Sequence, residues 1–233
     1  MGFDTLVQDV AALGAPVLCA DTCSILDVMR DPTRDDARAH VASATLELIS
    51  KMEVGGGLVC LLADQVRNEL ATHLQQIQDD AKSQLSKLTE RINRVNSISA
   101  LFGRPGTTDL THLIGHEIRA REIADRWIDF SKVVPQRQQV AGLAFARVTA
   151  PKAPARQGKD SIKDCVVIET YFDVIRALRK TGLQSTIVFL SSNTRDYTNT
   201  KDSNLHDELL PEFKSLHIEY ASNAGAAKHI LGF

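Results

Sequence analysis

Short apolar runs alternate in this chain with stretches of helical spacing, and that rhythm restricts the fold. PVLCA at 16–20 and LVCLL at 58–62 read as buried strands. Between them, Thr22 to about Arg30 reads as a short helix and DPTRDD as the turn after it. Val41, Leu48, Ile49 and Met52 then recur at helical spacing over 36–53, and GGG at 55–57 stops that helix. This is the βαβ pattern of a parallel sheet, whose crossovers are right-handed almost without exception. TIVFLS at 186–191 and LHIEY at 216–220 supply further strands. The expected fold class is α/β, three layers around a central parallel sheet of four or five strands.

The middle of the chain follows another pattern. Val66, Leu70, Leu74, Ile77, Ala81 and Leu85 recur at steps of three and four, continued by Leu88, Ile92 and Val95. A long amphipathic helix over about 64–101 is expected, close to a coiled-coil seam. FGRPGTTD breaks it, and Thr107 or Thr108 is the expected cap of a helix over 109–130. A shorter helix is expected at 137–147, one over 161–180 ended by Gly182, and one over 202–213 interrupted at Pro211. Residues 75–150 read as a large helical elaboration, an insertion or lid, within a single domain spanning 1–233. The other reading is that these helices complete one globular core.

Composition removes several classes. With 43% hydrophobic residues the chain can build a core, and no apolar stretch approaches the length of a membrane span. The start, MGFDTLVQDV, has no basic segment or signal-type core. Cys19, Cys23, Cys60 and Cys165 form no CxxC pair and read as reduced thiols, so a cytoplasmic protein is expected. A net charge of −2 does not advertise nucleic-acid binding. The stretch from Arg147 to Lys163 is locally basic, with Lys152, Arg156 and Lys159 between two prolines and the next helix. It reads either as an exposed loop holding a phosphate backbone or as a solvated hinge. His112 and His116, at i, i+4, read as surface histidines rather than zinc ligands.

Carboxylates stand where the apolar runs stop. Asp21 follows the first strand, Glu69 comes soon after the second, Asp160 and Asp164 open a helix, and Asn193 and Asp196 follow the third strongly apolar run. In an open α/β sheet the crevice beyond the strands' carboxyl ends is where ligands bind. Acids meeting there repel one another and call for a hard divalent cation, Mg²⁺ or Mn²⁺. Such ions supply an activated water and charge neutralisation for phosphodiester hydrolysis. The plainer reading of Asp21 is a helix cap, and that of Asp164 a gain from the helix dipole.

The segments DTCSILD, VRNEL, IKDCVVIET and SSNTRDY resemble, in order, the four motifs of the PIN-domain ribonucleases, which include many bacterial toxins. The likeness covers roughly residues 15–70 and 158–222. It implies a PIN-like fold with Asp21, Glu69, Asp164 and Asp196 as catalytic acids, and these with Asp160 as ligands of Mg²⁺ or Mn²⁺. Where many members carry Asp, this chain has Asn193, with Asp196 three residues on as in other members. Thr22, Ser192, Asn193, Lys152, Arg156 and Lys159 are the expected substrate contacts. The implied function is a metal-dependent endoribonuclease acting on single-stranded RNA, with a toxin-type role. The alternatives are a flap-type DNA or RNA nuclease, a PIN-like scaffold that binds RNA or protein without cleaving, and a phosphatase-like protein. A protein inhibitor or antitoxin and a homo-oligomer through the long helical seam are the expected partners, with no membrane.

Overall fold

The computed structural model describes residues 2–156, 161–199 and 204–233. Helix α1 (Phe3–Leu13) opens the chain and ends at Gly14, whose φ of 60° lies in the left-handed region that glycine tolerates. Strand β1 (Val17–Ala20) leads directly into α2 (Thr22–Leu26), followed by α3 (Ala39–Glu53) and β2 (Val59–Ala63). Helix α4 (Asp64–Phe102) is 39 residues long. A 3₁₀ turn (Thr111–Leu113) separates it from α5 (His116–Asp129), which leads into β3 (Lys132–Val134) and α6 (Gln138–Thr149). Then come α7 (Ile162–Lys180), β4 (Ile187–Leu190), α8 (Thr194–Tyr197), α9 (Leu210–Leu216), β5 (Ile218–Ala221) and α10 (Ala224–Ile230).

All five strands are parallel, in the order β3-β2-β1-β4-β5. The α/β expectation therefore holds. β1, β2 and β4 are buried along their whole length, as strands covered on both faces must be. From β1 the chain moves outward through β2 to β3, then returns past β1 to β4 and β5. Right-handed crossovers accordingly put the helices before and after that return on opposite faces. On one side α7 packs with α1, α6 and α9; on the other α3 packs with α10 and α5. The reversal makes the gap between β1 and β4 the topological switch point.

Helix α7 is buried almost all round from Cys165 to Ile175, the behaviour of a helix inside the core. Its two buried acids are paired, as charges removed from water must be. Asp173 accepts from Arg137 Nε at 2.6 Å and Nη2 at 2.5 Å, and from Gln139 Nε2 at 2.7 Å. Glu169 accepts from Arg147 Nε at 2.9 Å and Nη2 at 2.5 Å.

Several elements depart from expectation. The stretch 75–150 is not wholly helical, because β3 lies in it and pairs with β2 at the sheet edge. Helix α5 starts at His116 rather than near 109, since Asp109 accepts from Thr111 to build the preceding turn and Gly115 takes φ 69°. His112 and His116 consequently do not share a helix. Pro211 opens α9 rather than interrupting a helix, at a position where no backbone N–H is needed. Beyond Leu85, α4 contributes no buried residue, and Val95, Ile98, Leu101 and Phe102 stand exposed.

Candidate active site

Asp21 sits at the switch point. Its backbone N–H donates to the Leu190 carbonyl at 2.9 Å, which extends the β1–β4 pairing by one residue and fixes where its side chain emerges. The carboxylate is 5% exposed and fully engaged by its surroundings. Oδ1 accepts from the Thr22 amide at 2.8 Å, so Asp21 does cap α2. Oδ2 accepts from the Ser191 hydroxyl at 2.6 Å and the Cys23 thiol at 3.3 Å. Burial pushes the Asp21 carboxyl above its ordinary value, those three hydrogen bonds oppose the rise, and the Glu69 charge adds to it.

Glu69, on α4, reaches the same crevice from the end of β2. Its Oε2 accepts from the Thr22 hydroxyl at 2.6 Å and its Oε1 from Gln65 Nε2 at 2.9 Å. Thr22 thus links the two acids, its amide on Asp21 and its hydroxyl on Glu69. Asp164 lies in the first turn of α7. Its charge and that of Asp21 both act on the Tyr197 hydroxyl, which burial pushes well above the ordinary tyrosine value and the two charges raise further. That hydroxyl is buried and has no hydrogen-bond partner among the described residues. Asp21 and Glu69 therefore meet through Thr22, and Asp164 stands within electrostatic reach of the same Tyr197 hydroxyl as Asp21.

The fourth segment is built differently. Asp196 is buried; Oδ2 accepts from Asn193 Nδ2 at 2.7 Å, and Oδ1 lies 3.1 Å from Arg156 Nε. Asn193 spends its amide on positioning Asp196. Ser192, expected to touch substrate, donates its amide to Ser24 Oγ at 3.0 Å. The hydroxyl on Asp21 belongs to Ser191, which the sequence did not single out. Of two adjacent serines after a strand, only the strand's register says which one faces the neighbouring acid.

The basic segment also differs from the exposed loop expected. Ala153 and Ala155 are buried, and the Ala153 amide donates to Glu208 Oε2 at 2.6 Å. Arg147, 4% exposed, ties Glu169 to Glu212, which it meets at 2.9 Å. Lys152 Nζ lies 2.9 Å from the same Glu212 oxygen. Arg147, Lys152 and Arg156 thus each pair with an acid of the fold, while Lys163 is exposed. Asp160 and Lys159 lie outside the described residues.

Tyr171 is a further residue that sequence reading missed. From α7 its hydroxyl accepts from the Ala63 amide at 3.1 Å and donates to the Ala20 carbonyl at 2.5 Å. It joins the carboxyl ends of β1 and β2 immediately before Asp21 and the start of α4. Only the helix-to-sheet packing reveals this, because a lone tyrosine in a helix carries no signal of its own.

Among the described residues, no group of three or more His, Cys, Asp or Glu side chains is drawn together closely enough to hold a metal ion. The donor chemistry nevertheless fits a hard cation. Carboxylate and hydroxyl oxygens line the crevice, and the nearest sulfur is unsuitable. Burial and the Asp21 charge push the Cys23 thiol up to about 12, so it stays protonated at neutral pH.

An all-parallel sheet whose order reverses between β1 and β4, with a buried carboxylate at that switch point, defines an α/β protein with a candidate ligand crevice there. A sequence profile of the PIN domain matches residues 18–197, and the chain belongs to the PIN-domain family. That is a nuclease fold whose members typically use divalent cations. Neither the curated proteins nor the solved structures yield a match to the chain.

Proposed function

We propose that this chain is an Mg²⁺- or Mn²⁺-dependent endoribonuclease that hydrolyses single-stranded RNA. The observation that carries this reading is the buried Asp21 carboxylate at the switch point, joined to Glu69 through Thr22. Asp21, Glu69 and Asp164 would hold the cation, with Asp160 and Asp196 as the remaining candidates. A divalent ion supplies an activated water and neutralises phosphate charge. Ser191, Thr22 and Tyr171 do the positioning. They fix the acids in a water-poor crevice, where charge acts more strongly than in bulk solvent. The direct test is cleavage of mixed RNA and DNA substrates in Mg²⁺, Mn²⁺ and chelator. Cleavage of RNA alone supports the reading, and cleavage confined to branched DNA favours a flap-type nuclease instead.

A second reading, a PIN-like scaffold that binds without cleaving, draws on the same site. Both oxygens of Glu69 and both of Asp196 already have protein partners. Titration with Mn²⁺ by calorimetry separates the two, since a scaffold takes up no ion at the crevice.

A toxin-type role with a protein inhibitor, and self-association, belong to the same proposal. The exposed Val95, Ile98, Leu101 and Phe102 of α4 support them by offering apolar surface on the 75–150 elaboration. No described helix is long and apolar enough to cross a membrane. The four free cysteines, three of them buried, support action in the reducing cytoplasm.

A further inference from the structure

Next to the acidic crevice lies a second feature that the proposed chemistry does not use. The ends of β4 and β5, the segment joining α2 to α3, and the first turns of α5 enclose a cavity of about 970 Å³. That size is near the top of the range of roughly 300–1,000 Å³ for small-molecule sites. Ser24 and Ser192 form the side facing the acids, and Ser192 is the immediate neighbour of the Ser191 that holds Asp21.

The charge of this cavity is opposite to that of the crevice. Arg30, Arg34, Arg38 and Arg119 line it, against Asp27 and Asp36. Asp27 is shared by Arg30 at 2.9 Å and Arg34 at 3.6 Å, and Arg34 also meets Asp36 at 3.6 Å, which leaves the four arginines in excess of the two acids. Arg38 Nη1 donates to the carbonyls of Asp35 and Ala37, and the Arg119 Nη atoms donate to those of Ile114 and His112. Carbonyl partners orient a guanidinium without cancelling its charge. Between the arginines the walls are largely apolar, with Val28, Val41 and Ile123, and the rings of His40 and His116 are also part of the lining.

Guanidinium groups recognise phosphate oxygens, while apolar walls, histidine rings and arginine planes accept an unstacked base. We infer that this cavity is a nucleotide subsite for single-stranded RNA. It seats a base splayed out of the strand beside the scissile phosphate and holds the neighbouring phosphates on Arg34 and Arg38. The inference rests on the ribonuclease reading of the crevice and adds where the strand runs: across Ser24 and Ser192 toward α3 and α5.

The test uses the full chain. A short labelled oligouridylate is titrated in chelator by fluorescence anisotropy at several salt concentrations, with the parent and with Arg34→Gln/Arg38→Gln. The double variant is expected to bind more weakly, with the salt slope reduced by about 0.7 for each phosphate deprived of its guanidinium partner. In the cleavage assay its KM rises while kcat stays near the parent's, the pattern of lost uniform binding. Photocrosslinking of 4-thiouridine RNA to the unaltered parent gives an independent readout and is expected to label peptides within 28–41 or 116–123. Crosslinks confined to 147–156, or an unchanged affinity and salt slope in the double variant, overturn the subsite while leaving a cleaving parent's ribonuclease activity intact. A parent that neither binds nor cleaves RNA overturns the ribonuclease reading and the subsite together.

Discussion

Ser191 donates its hydroxyl to Asp21 Oδ2 at 2.6 Å across the two strands where the sheet order turns back. The bond holds a buried carboxylate whose capping of α2 a neutral Asn would do as well. Folding alone would be better served by a neutral group, since burying an ionised carboxylate is costly even when it is hydrogen-bonded.

That cost has a measurable sign. The folded Asp21 carboxyl titrates above its ordinary 3.8, so the folded state holds this proton more tightly than the unfolded chain does. Its contribution to stability is complete below that value and is lost as pH rises through the raised one. Asp21→Asn keeps a good helix cap and removes the charge. In metal-free buffer at neutral pH its melting temperature should equal or exceed the parent's, and the decline of stability above pH 4 should flatten. A steep drop in that variant would show that Asp21 serves the fold alone.

Metal should stabilise the parent and not that variant. A ligand of the folded state at a hundredfold excess over its Kd adds about 2.7 kcal/mol. For a chain of this size that amounts to several degrees in melting temperature. Differential scanning fluorimetry with and without Mn²⁺ reads the difference, and equal shifts in both proteins would place the ion elsewhere.

Arg147 is expected to be structural. Arg147→Ala leaves Glu169 buried without its partner and should cost about 3–5 kcal/mol in urea unfolding. Lys152→Ala, removing a half-exposed partner of Glu212, should cost under about 1 kcal/mol. Comparable losses from the two would undo the distinction.

The sequence carried much of this fold in plain view, and the exceptions have physical causes. β1, β2 and β4 are continuous apolar runs, so burial on both faces was readable. β3 is three residues at the sheet edge, two of them half-buried and Val134 fully buried, too short to stand out beside a proline. α1 had a usable signal in Leu6, Val7 and Val10 with Gly14 after them. Asp21 and Glu69 were visible as acids after strands, but Thr22 as the link between them was not, because its hydroxyl reaches a residue 47 positions away. Arg147 and Arg38 look alike on paper. One is sealed against Glu169 and the other lines a cavity, a difference that only tertiary packing creates.

Tyr171→Phe removes a hydroxyl that satisfies the Ala20 carbonyl and the Ala63 amide. An expected loss of about 1–3 kcal/mol follows from leaving buried backbone groups unpaired. Because the Ala20 carbonyl adjoins Asp21 and Ala63 leads into the helix that carries Glu69, kcat on RNA should fall while KM changes little. Stability loss with unaltered kcat would confine Tyr171 to the core.

Arg156 competes with any cation for Asp196. If Asp196 is a ligand, Arg156→Gln should tighten Mn²⁺ binding, and Asp196→Asn should weaken it on the order of tenfold or more, at least the loss that follows removal of an outer contact of a metal site. Calorimetry on both variants reads the effect. Unchanged affinity in the pair would leave Asp21, Glu69 and Asp164 to carry the site.

The measurement closest to the central claim is cleavage of single-stranded RNA by the parent and by Asp21→Asn in Mg²⁺, Mn²⁺ and chelator. The expected result is cleavage by the parent in either metal, none in chelator, and a loss of activity in the folded variant. Equal cleavage by parent and variant, or cleavage that survives chelator, would contradict the assignment of the β1–β4 crevice as a metal-dependent nuclease site.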